Sequence, residues 1–326
     1  MPVLRVRGLI FAAAVVLVGA MAWSVASAQT EQRKFELQAL SPDFWKLISH
    51  DASLTKVASG FGFTEGPVWD KAGYLYVSDE TLNKIFKVNV KNGRKQEIIA
   101  LGDPDGNTYD KNLRILDCAS VLRAVIRLSP DGKQYTMVAD RYQGKRFNSP
   151  NDVVLGPDEA IYFTDPTSDL PPGQKQEIPY QGVYRISKSG QVTLLTKEIA
   201  QPNGLAFSPD GKRLYVDDDQ DLNIRVYEFR PGGTLTNGRV FGSEAGPPKA
   251  GVPDGMRLDT KGNLYVVGPL GIWVWSPAGK HLGTIVVPEQ PANLSWGDAD
   301  YSTLYITAGT SVYRIPTHAH GFNPYL

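Results

Sequence analysis

EGPVWDKAGYLYVSDE, residues 65–80, opens on a carboxylate and passes through Gly66 and Pro67 to the apolar pair Val68 and Trp69. It turns at Lys71–Gly73 and resumes as an alternating strand. An acid in so apolar a setting is costly to bury unless a partner neutralises it. The same plan returns along the chain. NDVVLGPDEAIYFTDP begins at Asn151, NGLAFSPDGKRLYVDDD at Asn203 and DGMRLDTKGNLYVVGP at Asp254. Weaker copies are DGNTYDKNLRILDC from Asp105 and NLSWGDADYSTLYITAG from Asn293. Each has a polar lead, a short apolar run, a turn rich in Asp, Gly or Asn, and an alternating strand.

The leads at 65, 105, 151, 203, 254 and 293 are separated by 40, 46, 52, 51 and 39 residues. A period of about 45 marks a repeat architecture. Between the leads run further strands, KIFKVNV, GVYRIS, IRVYEF and GIWVWSP, bounded by Gly, Pro and Asn. A unit of this length with about four short strands is a propeller blade, so six units predict an all-β, six-bladed β-propeller. Helical pattern is confined to SPDFWKLI before the first blade. The matching SPDGK turns at Ser129 and Ser208 are ordinary Asp-Gly hairpin turns that support the repetition and carry no chemistry.

Composition narrows the setting. Arg5 and Arg7 precede an apolar core, Leu9–Val18, and Ala26-Ser27-Ala28 supplies a small-x-small cleavage pattern. Residues 1–28 thus read as a secretory signal, cleaved after Ala28, which places the mature chain in the periplasm or outside the cell. The apolar run is slightly short for a membrane span, and no stable insertion is expected after cleavage. Residues 29–58 read as a lead-in and closing segment, and 59–326 as the propeller. Loss of the leader turns 34 basic and 34 acidic residues into 32 and 34, a net charge of −2. That balance offers no nucleic-acid surface. The single cysteine, Cys118, rules out an intramolecular disulfide framework and a multi-cysteine metal site.

The innermost strands of a propeller face one central channel, so equivalent leads converge there. Glu65, Asn151, Asn203 and Asp254 then meet as two carboxylates and two amide carbonyls. This hard, all-oxygen set suits Ca²⁺, and less tightly Mg²⁺ or Mn²⁺. The histidines (His50, His281, His318 and His320) lie outside the leads. For any one of these residues alone, turn formation explains Asn or Asp before Gly; turn chemistry does not select Glu. The Pro- and Gln-rich stretch TSDLPPGQKQEIPYQGVYRI, residues 167–186, is read as either a long blade connection or a cover for the channel mouth, with Tyr180 and Gln181 as candidate substrate contacts.

Competing motifs fail on their context. Gly60, Gly62 and Gly66 only approximate a dinucleotide fingerprint and are followed by strand pattern. In DPDGNTYD the glycine interrupts the alternation of a calcium loop. There is no G-x-S-x-G elbow.

Across the mature chain the segments TEGPVWD, GKRFNSPNDVV, IYFTDP, QPNGLAFSPDGKRLYV, PDGMRLDTKGNLYV and LYITAGTSVYRI, in this order, resemble the SMP-30/gluconolactonase/luciferin-regenerating-enzyme family. The bacterial gluconolactonase branch is the most similar. The resemblance implies a six-bladed propeller that binds one divalent cation, usually Ca²⁺ with Mg²⁺, Mn²⁺ or Zn²⁺ as alternatives, and hydrolyses a small-molecule lactone. It makes Glu65, Asn203 and Asp254 metal ligands, with Asp254 also the base, and puts Asn151 near both metal and substrate. Blade two departs from the pattern. DGNTYD replaces the relatives' asparagine motif, so Asp105, Asn107 or neither takes its place, and Ala119 and Ser120 stand where relatives carry a Glu-His pair. Ser149 replaces an arginine of the eukaryotic branch. These changes bear on which lactone is bound. They also leave open a non-catalytic propeller that binds a sugar or a protein, and a lactonase acting on a non-sugar lactone or related ester.

Overall fold

Each polar lead stands in or just before the first strand of one of six blade sheets in the computed structural model, which describes residues 33–247 and 250–323; a two-stranded sheet, Arg141–Tyr142 with Lys145–Arg146, stands beside them. The leader read in residues 1–28 lies outside the described residues. Blade 1 comprises Thr64–Asp70, Tyr74–Asp79, Lys84–Asn89 and Lys95–Ala100 in sequential antiparallel order. Blades 2, 3 and 4 repeat that order, with first strands Pro104–Tyr109, Val153–Leu155 and Pro202–Phe207. Blades 5 and 6 start with Met256–Leu258 and Pro291–Gly297. The first strand of every blade touches the first strands of both neighbours, so these six line the channel.

The N-terminal segment completes the last two blades. Thr55–Ser59 pairs antiparallel with Ser311–Pro316 and supplies the outer strand of blade 6. Glu36–Ala39 adds a fifth strand to blade 5, against His281–Val286. Between them, SPDFWKLI forms a short 3₁₀ turn at Pro42–Lys46, with the Ser41 side chain accepting from the Asp43 amide. Chain ends held in one blade close the ring, and the added strands cover edges that would otherwise stay unpaired.

Alternation places one apolar face of each sheet against the next, and six buried clusters result, one per interface. Ala206, Tyr215, Ile224 and Val226 of blade 4 meet Met256, Leu264, Val266 and Trp275 of blade 5. Val68 of the opening stretch packs toward blade 2, whereas Trp69 stacks on Tyr305 of blade 6 at 5.4 Å. Each fully buried Leu, Ile or Val contributes about 1.5–3 kcal/mol, and no disulfide is involved. The two SPDGK turns sit at different places in their blades. The turn at Ser129 joins the third and fourth strands of blade 2, and that at Ser208 joins the first and second of blade 4. Their likeness is shared turn chemistry rather than repeat register.

Candidate active site

The backbone at the leads is built to aim side chains into the channel. Strand register slips just after the lead in blade 1, around it in blades 2 and 4 and just before it in blade 6; such bulges re-aim side chains. A glycine follows the lead in blades 1, 2, 4 and 5 because the neighbouring chain fills the space a side chain would need. A Cβ on Gly204 would lie 2.3 Å from the Asp254 carbonyl oxygen, and one on Gly255 would lie 2.1 Å from Asn293 Cγ. Gly66 also has φ +47°, a conformation that glycine adopts at little cost.

Contacts link the six leads around the ring. Asn293 Nδ2 donates to Glu65 Oε2 at 2.9 Å, and the Gly66 amide donates to that same oxygen. Asn107 Nδ2 donates to the Gly66 carbonyl at 2.9 Å and to Ser78 Oγ at 2.6 Å. Asn151 Nδ2 donates to Asp105 Oδ2 at 2.7 Å. Thr164 Oγ1, beside Asn151, donates to the Asn203 carbonyl at 2.6 Å. Gly204 and Gly255 then abut Asp254 and Asn293 and close the circle. The structure therefore brings Glu65, Asp105, Asn107, Asn151, Asn203 and Asp254 together.

The site holds more negative charge than its own cations balance. Glu65 is 3 % exposed, and burial together with the Asp152 charge pushes its carboxyl up to about 8. Burial, then Glu65 and Asp217, hold Asp254 well above the usual carboxylate range. Asp105 is raised by burial, then by Glu80 and Glu65. Arg257, whose Nη1 lies 3.8 Å from Asp152 Oδ2, is the cation in ion-pair range of this group among the described residues. Asn203 Oδ1 is buried with no donor, while the Asn203 side chain hydrogen-bonds Asp219.

A bare amide oxygen beside carboxylates that oppose one another's ionisation is a donor set that suits a hard cation. Among the described residues no three His, Cys, Asp or Glu side chains cluster closely enough to hold an ion alone. Any ion held at this mouth would have to draw on neutral oxygens such as the Asn151 and Asn203 amides.

Several groups at the mouth were not legible as leads. Asp152 and Arg257 follow leads by one and three positions. Glu80 and Asp219, after the second strands of blades 1 and 4, are pushed up to about 10 and about 7, each by burial first. Asp79 and Asp218, one position earlier, have a different duty: each accepts backbone N–H groups of the adjoining loops. Asp169, on the segment between the second and third strands of blade 3, lies 3.3 Å from Asn151 Nδ2. The Asn151-Asp152 dipeptide and the lead Asn293 were the available signals; Asp169 gave none.

The remaining candidates take other positions. Tyr180 packs against the core between blades 2 and 3, its carbonyl accepting from Asn148 Nδ2 at 2.9 Å. Gln181 Nε2 donates to Thr167 Oγ1 at 3.1 Å at the base of the segment that carries Asp169. In blade 2, Ala119 is core and Ser120 Oγ donates to Asp103. Ser149 Oγ donates to the Pro166 carbonyl at 2.8 Å. None of these three substitutes offers the charge or reach of the residue it replaces. A cavity among the inner strands is lined by Trp69, Tyr109, Phe207, Leu258 and Trp296 and reaches Asn107 and Arg257 on its polar side.

The family model of the SMP-30/gluconolactonase/LRE-like region matches residues 63–310. The chain belongs to this family. It is 34 % identical over 313 residues to a gluconolactonase of Zymomonas mobilis, covering 88 % of this chain and 87 % of the relative. A solved gluconolactonase of Xanthomonas campestris superposes with a TM-score of 0.79 at 30 % identity, covering 86 % of this chain and 94 % of that one. Diisopropyl-fluorophosphatase of Loligo vulgaris is 24 % identical over 297 residues, covering 83 % and 94 %. Members of one family thus carry names for different hydrolytic chemistries, and the mouth residues must decide between them.

Proposed function

We propose that this protein is a lactonase that opens a sugar lactone to its hydroxy acid at the channel mouth, with Ca²⁺ as its cofactor. The observation that carries the reading is the junction of Glu65, Asn151, Asn203 and Asp254, where Asn203 Oδ1 is buried without a donor among crowded carboxylates. A cation held by those four side chains supplies positive charge for a carbonyl oxygen that becomes an oxyanion.

Asp254 is the base. Its Oδ1 is fixed by the Gly255 amide at 2.9 Å, leaving Oδ2 to accept a proton from water as the water oxygen bonds to the lactone carbonyl carbon. The tetrahedral adduct breaks its bond to the ring oxygen, which takes that proton and becomes the hydroxyl of the product acid. Asn293 and the Gly66 amide hold Glu65, and Asp105 orients the Asn151 amide so that its carbonyl oxygen is left for other partners. Names of relatives at 34 % and 30 % identity support the substrate class.

The test is a pH-stat assay of acid release from D-glucono-δ-lactone, from an unsubstituted δ-lactone and from a dialkyl fluorophosphate. Lactone turnover that EDTA abolishes and Ca²⁺ restores is expected. Turnover unaffected by exhaustive chelation overturns the role of the cation. Turnover of none of the three substrates, with Ca²⁺ bound, leaves a non-catalytic binding propeller.

A further inference from the structure

Arg123 is 2 % exposed and forms no ion pair among the described residues. A buried guanidinium without a carboxylate is expensive, so what it holds is informative. Its Nε donates to the Phe147 carbonyl at 2.6 Å, and its Nη1 donates to Gln174 Oε1 at 3.1 Å and to the Lys175 carbonyl at 3.3 Å. Two of the three bonds thus reach from blade 2 to the segment that links the second and third strands of blade 3. Farther along, the Arg146 amide donates to Glu177 at 2.9 Å and Ile178 is buried in the core. At the near end Thr167 is held by Gln181 and by Gln201 Oε1, the latter at 3.0 Å. Between these anchors stands Asp169.

Asp169 lies at the mouth, beside Asn151. Its Oδ2 is 3.3 Å from Asn151 Nδ2, and its charge is felt by Glu80 of blade 1, Asp105 of blade 2 and Asp219 of blade 4. Its hydrogen bonds come from Ser168 Oγ and, weakly, from Asn151, so acceptor capacity remains on a carboxylate with two oxygens. No arginine or lysine pairs with it among the described residues.

We propose that Asp169 recognises the hydroxyl groups of a polyhydroxylated lactone and that Arg123 is a positioning residue, pinning the segment that presents Asp169. The inference rests on the lactonase reading and adds its specificity determinant. A carboxylate accepts from neighbouring hydroxyls and repels an anionic substrate, so the favoured class is an uncharged sugar lactone rather than a phosphorylated one.

The experiment compares kcat/KM for D-glucono-δ-lactone with that for unsubstituted δ-valerolactone at saturating Ca²⁺. Asp169→Ala lowers the ratio about tenfold or more through KM for the sugar lactone, the worth of one hydrogen bond to a charged group. Asp169→Glu restores part of it. Arg123→Gln shifts the ratio the same way and hastens proteolysis within residues 168–176. Gln174→Ala, an exposed change that spares the core, does both more weakly.

An unchanged ratio in Asp169→Ala, or a parallel fall for both lactones with weakened Ca²⁺ binding, overturns the proposal, because Asp169 would then act only through Asn151. Wild-type protein that hydrolyses neither lactone removes the lactonase reading as well. Hydrolysis of both with the ratio unmoved removes this inference alone.

Discussion

Glu65 is a carboxylate whose burial has no local explanation, since its hydrogen-bond donors are neutral amides. Its carboxyl, pushed up to about 8 by burial and by Asp152, keeps its proton at neutral pH in the cation-free protein. A cation must displace that proton, so the affinity that Glu65 contributes is lost as pH falls below about 8. Calorimetric titration is expected to show Ca²⁺ affinity rising about tenfold per pH unit between roughly pH 6 and pH 8 for each proton displaced. A flat profile would mean that Glu65 is no ligand. At this scale the sequence was informative wherever chemistry fell on a repeat lead. Glu65, Asn151, Asn203 and Asp254 stood out because one register carried them all. Asp152, Arg257 and Asp169 did not, because each reaches the mouth from a non-lead position through contacts made only in the folded ring. Tyr180, read as a substrate contact, packs half-buried against the core between blades 2 and 3, with Lys197 over its ring.

At the level of the element, the inner strand works because its neighbours pack against backbone. Gly255 has an ordinary φ, so replacing it tests packing alone: a new Cβ would sit 2.1 Å from Asn293 Cγ. Gly255→Ala is expected to destabilise by about 1–3 kcal/mol, and thermal unfolding reads this as a drop of roughly 2 °C per kcal/mol. Lactone turnover should fall about tenfold or more, because Asp254 is displaced with its neighbour. Wild-type turnover in a destabilised variant would show that strand packing does not aim Asp254. Strand existence was legible from alternation and from Gly, Pro and Asn boundaries. Equivalence of turns was not, since SPDGK serves two different connections for the same local reason.

For the whole molecule, six separate sheets become one site only when the ring closes, with Thr55–Ser59 from one end of the chain paired to Ser311–Pro316 from the other. The six interface clusters hold the leads at a common height and so turn a repeat in sequence into a junction in space. Repeat counting foretold the blade number; it carried no information on the long segment after the second strand of blade 3, which breaks the repeat. The most direct measurement is the turnover of Asp254→Asn at saturating Ca²⁺, with thermal unfolding monitored in parallel. A folded variant whose kcat falls by about 10²–10⁴-fold is expected for loss of a general base. A folded, Ca²⁺-loaded variant with near-wild-type kcat would contradict the assignment of the reaction to this mouth.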